Sequence, residues 1–140
     1  MCGADERARY IIGKCSSDNN PISNLQLQKL LYFVQKAFLK AGKEAFDDDF
    51  EAWRFGPVIP DVYYSYSGYG SRPIFSIRSN TEISLEDKQI IDSIVEKNIN
   101  LPPWELAKSI HRINGAWDKT FNHGAGNNQI IDKELIRSEM

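Results

Sequence analysis

Residues 22–42 constrain the fold more than any other stretch. They read Ile-Ser-Asn-Leu-Gln-Leu-Gln-Lys-Leu-Leu-Tyr-Phe-Val-Gln-Lys-Ala-Phe-Leu-Lys-Ala-Gly. Ser23 is placed as an N-cap, and Gln26 three residues on completes a capping box. Ile22 before the cap and Leu27 after it have the spacing of a hydrophobic staple. Leu27, Leu30, Leu31, Val34, Phe38 and Ala41 recur at the period of one buried helical stripe, and Leu25, Phe33 and Leu39 broaden it. Gly42 suits the left-handed position after a helix end. The pattern predicts a helix over Asn24–Ala41. Because it is apolar around much of its circumference, the rest of the chain must pack around it.

The remaining 119 or so residues are enough for one domain and not two, so residues 1–140 are read as a single domain. The fractions of apolar (41%) and charged (26%) residues are ordinary for a globule, which excludes wholesale disorder and fibre-forming repeats. A net charge of −2 gives no field for a nucleic-acid backbone. Asp5 and Glu6 stand where a secretion signal would carry bases, and the longest apolar run, Leu30 to Val34, is far short of a membrane span. A cytoplasmic location is expected, with Cys2 and Cys15 as free thiols.

Other elements follow from punctuation. Ala4, Ala8, Ile11, Ile12 and Cys15 share one face of a helix from Ala4 to Lys14, which makes Cys15 a small core residue. Phe50 to Phe55 reads as a short strand stopped by Gly56-Pro57. Arg72 to Arg78 reads as a second strand, antiparallel to the first. Asp47-Asp48-Asp49 lacks the spacing of a calcium loop and reads as solvated. Pro60 opens a helix carrying Val62, Tyr63 and Tyr66, closed by Gly68-Tyr69-Gly70. Ser84 and Asp87 start a helix whose buried stripe is Ile90, Ile91, Ile94, Val95 and Ile99. Pro102-Pro103 opens another with Trp104, Leu106, Ala107, Ile110 and Ile113. Residues 122–129 read as a flexible loop, and Asp132 caps a last short helix. The expected fold is mainly α: a compact bundle of five or six helices with a small two-stranded β element, α+β by strict count.

No constellation for catalysis, metal or cofactor emerges. Cys2, Cys15, His111 and His123 lack zinc-site spacing, and neither a nucleophile elbow nor a phosphate loop is present. His111, beside core Ile110 and close in sequence to Trp117, reads either as a half-buried structural histidine or as the wall of a pocket with Trp117 and Trp53. The unusual feature is aromatic: Trp53, Phe55, Tyr63, Tyr64, Tyr66 and Tyr69 lie close together in the chain. Tyr63, Tyr64 and Tyr66 cannot all face inward from one helix, so at least one is exposed. Exposed rings beside Arg54 and Arg72 suit a protein interface. A core with one stray surface tyrosine fits the same pattern.

Two blocks carry a family resemblance. Ile22 to Gln35 resembles the opening signature of the Panacea, or SocA-like, antitoxin domain. Phe50-Glu51-Ala52-Trp53-Arg54-Phe55-Gly56-Pro57-Val58-Ile59-Pro60-Asp61-Val62-Tyr63 is similar to the family's second and most specific block. Gly68-Tyr69-Gly70, Leu106, Ser109-Ile110-His111 and Ala116-Trp117 match weaker positions, so the likeness runs over about residues 22–120. Phe55 and Ala116 stand where the family more often has Tyr and Pro. The resemblance implies a phage-associated or mobile-element antitoxin, not an enzyme, that binds a cognate toxin protein directly. In the SocA type it also implies an adaptor that delivers the toxin to the ClpXP protease. On that basis Trp53, Arg54, Tyr63, Tyr64, Tyr66 and Tyr69 are candidate partner contacts. The alternative is a small-ligand-binding protein or enzyme with a pocket near His111.

Overall fold

A computed structural model describes residues 3–76 and 82–139. The order of its helices (α) and strands (β) is α1 Ala4–Ser17, α2 Asn24–Lys40, β1 Glu51–Trp53, β2 Gly56–Val58, α3 Pro60–Ser65, α4 Leu85–Ile99, α5 Pro103–Ile110, α6 Ala116–Phe121 and α7 Lys133–Ser138. Two short 3-10 turns, Ser67–Tyr69 and Asn122–Gly124, follow α3 and α6. The fold is mainly α with one small antiparallel element. Six of these helices were expected. The seventh, α6, is a turn and a half after Gly115 that the pattern of apolar residues had not marked.

The local chemistry of α2 sets both of its ends. Gln26 N–H donates to Ser23 Oγ at 3.3 Å, and Ser23 N–H donates to Gln26 Oε1 at 2.9 Å, so the capping box is closed in both directions. At the other end Lys43 N–H reaches back to the Phe38 carbonyl and Gly42 N–H to that of Leu39. That is a Schellman closure, and the φ of +90° at Gly42 is what it requires there. Helices α1, α4, α5 and α7 and strand β2 all pack on α2. Ile22, Leu27, Leu30, Leu31, Tyr32, Val34 and Phe38 are fully buried. Packing of this face, rather than intrinsic propensity, holds such a helix. Leu25, expected to widen the stripe, is exposed instead, two residues past the cap.

Three amide side chains on α2 tie this apolar helix to the loops around it. Asn24 Nδ2 donates to the Tyr63 carbonyl (2.9 Å) and Gln28 Nε2 donates to Asn24 Oδ1 (3.1 Å). The buried Ile59 N–H in turn donates to Gln28 Oε1 (3.0 Å). Two turns further, Gln35 Nε2 donates to the Phe46 carbonyl (3.0 Å) and Ala45 N–H donates to Gln35 Oε1 (2.8 Å). Each amide satisfies backbone groups that burial would otherwise leave unpaired. The chain from Ala45 to Tyr63 is thereby bolted to the central helix.

The β element differs from expectation. Gly56-Pro57 does not stop β1. Arg54 and Phe55 turn the chain, and Gly56-Pro57 begins β2, which pairs with β1 in the register Glu51↔Val58, Ala52↔Pro57 and Trp53↔Gly56. Gly56 has φ +129°, a conformation that L side chains rarely adopt, so the hairpin can form within the Trp53–Gly56 turn. The other edge of β1 is covered by the chain from 128 to 131. Ala52 N–H donates to the Gln129 carbonyl, Asn128 N–H to that of Ala52, and Ile131 N–H to that of Phe50. The end of the expected 122–129 loop is thus a third partner of the hairpin. In the expected second strand, Ile74 makes one isolated bridge to Ile22 and no ladder; Ile77 and Arg78 lie outside the described residues. Helix α5 ends at Ile110, which leaves Ile113 86% exposed, and Trp104 stands 64% exposed on its first turn.

Acidic groups have structural roles that composition hides. Asp48 caps α1 by accepting from Ala4 N–H (2.9 Å), and Asp49 pairs with Lys133 (3.6 Å). The triple-aspartate loop is therefore a tether between chain segments as well as a solvated surface. Cys15 is buried as expected, and burial raises its thiol pKa to about 11, which makes it unreactive near neutral pH.

Candidate protein-binding face

The hairpin and α3 together display the aromatic residues. Trp53 is the centre. Its ring lies 5.2 Å from Tyr63, 5.9 Å from Phe55 and 5.9 Å from Tyr64, and Tyr63 lies 5.8 Å from Tyr64. These edge-to-face and tilted pairs are separations at which aromatic rings attract one another. Trp53 Nε1 donates to Glu51 Oε1 (2.9 Å), which fixes the indole. Trp53 and Tyr63 are half-buried, Phe55 is 38% exposed and Tyr64 62% exposed. Four rings joined through Trp53 and Tyr63 thus form one apolar face, open to solvent at its outer pair, Phe55 and Tyr64. Arg54 extends from the tip of the hairpin beside it, exposed.

A second aromatic row adjoins the first. Trp117 Nε1 donates to the Trp53 carbonyl (2.8 Å). The Trp117 ring stacks on His111 at 4.3 Å and on Phe121 at 4.7 Å. An open cleft of about 340 Å³ runs between Arg54, Phe121, His123, Gly124 and Asn127. His123 sits in the left-handed region and is exposed there.

The structure divides the sequence candidates. Trp53, Arg54, Tyr63 and Tyr64 come together on the hairpin–α3 face, joined by Phe55. Tyr66 and Tyr69 form a separate pair, 6.4 Å apart. Tyr66 is partly buried against the core, and its nearest charges are Arg9 and Asp5 of α1. His111 and Trp117 do adjoin Trp53, through the Trp117–Trp53 hydrogen bond. His111 is half-buried. Its other ring nitrogen donates to the Phe55 carbonyl, which leaves Nε2 buried without a partner. Burial, then the nearby Lys29 charge, hold its pKa below that of an ordinary histidine, so it is neutral near pH 7. Lys29 and Glu139 are the residues that pattern reading missed. Neither breaks a periodicity, and their surroundings exist only in three dimensions.

The geometry offers a shaped apolar surface beside one exposed guanidinium. Among the described residues no group of three or more His, Cys, Asp or Glu side chains is arranged to hold a metal ion. No helix among them is long and apolar enough to cross a membrane.

The family model described as "Antitoxin SocA-like, Panacea domain" matches residues 27–118. Among curated proteins, the chain is similar to "Antitoxin SocA" of Caulobacter vibrioides (strain NA1000 / CB15N). The two are 34% identical over 146 aligned positions, which cover 91% of this chain and 77% of the relative. No solved structure matches.

Proposed function

This chain belongs to the SocA-like Panacea antitoxin family, and we propose that it neutralises a cognate toxin protein in the cytoplasm by direct binding through the face centred on Trp53. The observation that carries the reading is the four-ring cluster of Trp53, Phe55, Tyr63 and Tyr64, solvent-open on a hairpin that is itself bolted to α2. Aromatic side chains beside an arginine supply large contact area at low conformational cost, and such groups dominate interface energetics. The scaffold holds them in place before the partner arrives, which lowers the ordering cost of association.

Co-expression tests this reading. The chain is paired in turn with the product of each neighbouring open reading frame, and growth and co-purification are followed. One small protein that arrests growth alone, is harmless with this chain and co-purifies with it in fixed ratio is the expected result. No such protein would contradict the reading. The same assay with His111→Ala addresses the pocket alternative, and neutralisation is expected to survive that change. Delivery of the toxin to ClpXP is the further step that the family resemblance implies. A toxin half-life that shortens with this chain only when ClpX is present supports it.

A further inference from the structure

The cleft beside the aromatic face is already shaped in the free chain. One wall is the hairpin tip with Arg54, the other is the loop after α6 with His123, Gly124 and Asn127, and Phe121 adds an apolar ring. The two walls are tied together. Asn128 N–H donates to the Ala52 carbonyl at 2.7 Å, and Ala52 N–H donates to that of Gln129 at 2.8 Å. Trp117, whose ring stacks on Phe121, donates from Nε1 to the Trp53 carbonyl at 2.8 Å. Within the loop, Gly126 N–H donates to the Phe121 carbonyl. A Cβ at position 126 would lie 1.8 Å from the Thr120 carbonyl oxygen, so the loop sits hard against α6. Asn122, His123 and Gly124 have φ of +47°, +57° and +105°, three left-handed residues in a row. That conformation is uncommon outside glycine, and here it leaves the His123 side chain exposed on the cleft wall.

The polar side chains of the cleft are Arg54, His123 and Asn127, and among the described residues that line it there is no carboxylate. Among the described residues none of these three side chains has a hydrogen-bond or ion-pair partner within the chain. A guanidinium only donates, and an amide nitrogen and an imidazole can donate with it. The cleft's volume of about 340 Å³ is some ten times the roughly 30 Å³ share of one liquid water, room for a side chain with water around it. We propose that this cleft receives one Asp or Glu side chain of the toxin, with Arg54 as its counter-ion and His123 and Asn127 as further donors. This rests on the reading that the toxin binds the Trp53 face. Cleft and face share the hairpin, because Arg54 stands between Trp53 and Phe55 in the chain, so one partner covers both. Phe121 packs on the methylene stem of the acid. The planar fork of Arg54 matches a carboxylate with two parallel N–H donors. The rings supply contact area, and the cleft supplies selectivity: a toxin with a base at that point sets like charges against each other.

The test uses Asn127→Asp, Arg54→Gln and Arg54→Glu in the full chain, with the toxin isolated by co-purification with the unaltered chain. Asn127→Asp keeps the shape of the side chain and puts a negative charge into the cleft, where it competes for Arg54 and repels an incoming carboxylate. A Kd raised by roughly tenfold or more is expected for Asn127→Asp and for Arg54→Gln, and a larger rise for Arg54→Glu. Arg54 and Asn127 are exposed, so each variant should melt within about 2 °C of the unaltered chain. The acid itself is found by exchange, each Asp and Glu of the toxin being replaced in turn by Lys. One replacement is expected to restore binding to Arg54→Glu and to weaken binding to the unaltered chain. A Kd for Asn127→Asp within twofold of the unaltered chain overturns the assignment, and so does a full set of toxin replacements in which none restores binding. If the unaltered chain itself binds no toxin, the reading of the preceding subsection falls, and this one falls with it. If it binds, and Tyr64→Ala weakens binding while the three cleft variants do not, the cleft assignment alone fails.

Discussion

Glu139→Ala is expected to destabilise the chain by about 3–5 kcal/mol, the range for removing one partner of a buried charge cluster. The Glu139 side chain is 3% exposed. It accepts from Tyr32 Oη at 2.9 Å and from Ala116 N–H at 2.7 Å, and pairs with Lys36 at 3.1 Å and Arg112 at 3.6 Å. One carboxylate thus joins α2, the N-terminus of α6 and the segment after α7. Its loss leaves a buried hydroxyl and a buried N–H unpaired and removes the Lys36–Glu139 ion pair. Since small domains are stable by about 5–15 kcal/mol, that is a large share of the total. Thermal denaturation should show a midpoint lower by roughly 10 °C or more. Glu139→Gln, which keeps an acceptor, should lose much less, and Tyr32→Phe about 1 kcal/mol. A Glu139→Ala midpoint within 2 °C or so of the unaltered chain would contradict this account of the C-terminal anchor.

The second large effect is on binding. Phe55→Ala with Tyr64→Ala removes the two outer rings of the face while leaving Trp53 and Tyr63 in place. Interface aromatics of this kind cost about 1–2 kcal/mol or more each when truncated. The double variant should therefore bind the toxin about a hundredfold more weakly and fail to rescue growth. Both rings are exposed, so only their mutual ring contacts are lost from the free chain, and its midpoint should fall by no more than about 3 °C. Tyr66→Ala provides the contrast. That ring packs against the core, so its loss should lower stability first, with affinity preserved in the molecules that remain folded. Equal loss of folding in the double variant would place the outer rings in the core.

Much of the helical framework could be read from the sequence, because caps and periodicity are local. Ser23 with Gln26, Gly42, Ser84 with Asp87 and Asp132 each act within one turn, and all four sites behave as their chemistry dictates. The β element could not be read as well. Arg72 to Arg78 alternates as a strand should, but strand pairing is decided by what the fold brings alongside, and β1 finds β2 and residues 128–131 first. Helix α6 was too short for a period to show.

The candidate face was legible in part. Helical geometry required one of Tyr63, Tyr64 and Tyr66 to be exposed, and Tyr64 is. That Tyr66 and Tyr69 turn away from Trp53 depends on how α3 docks on α1, which no spacing reveals. The roles of Asn24, Gln28 and Gln35 were hidden for the same reason. On a helix they look like the polar gaps of an amphipathic pattern, yet all three are buried and hold the hairpin and its approach. Their burial is what fixes the aromatic face to the core. Glu139 shows the complementary case, a charged residue whose meaning lies in the partners that the fold brings around it.

The most direct measurement of the central claim is amide hydrogen exchange of this chain alone and saturated with its toxin. The account predicts that added protection concentrates in residues 51–64, with a lesser change in 117–127 and little in α4 and α5. Protection confined to α4 and α5, with residues 51–64 exchanging as in the free chain, would contradict it.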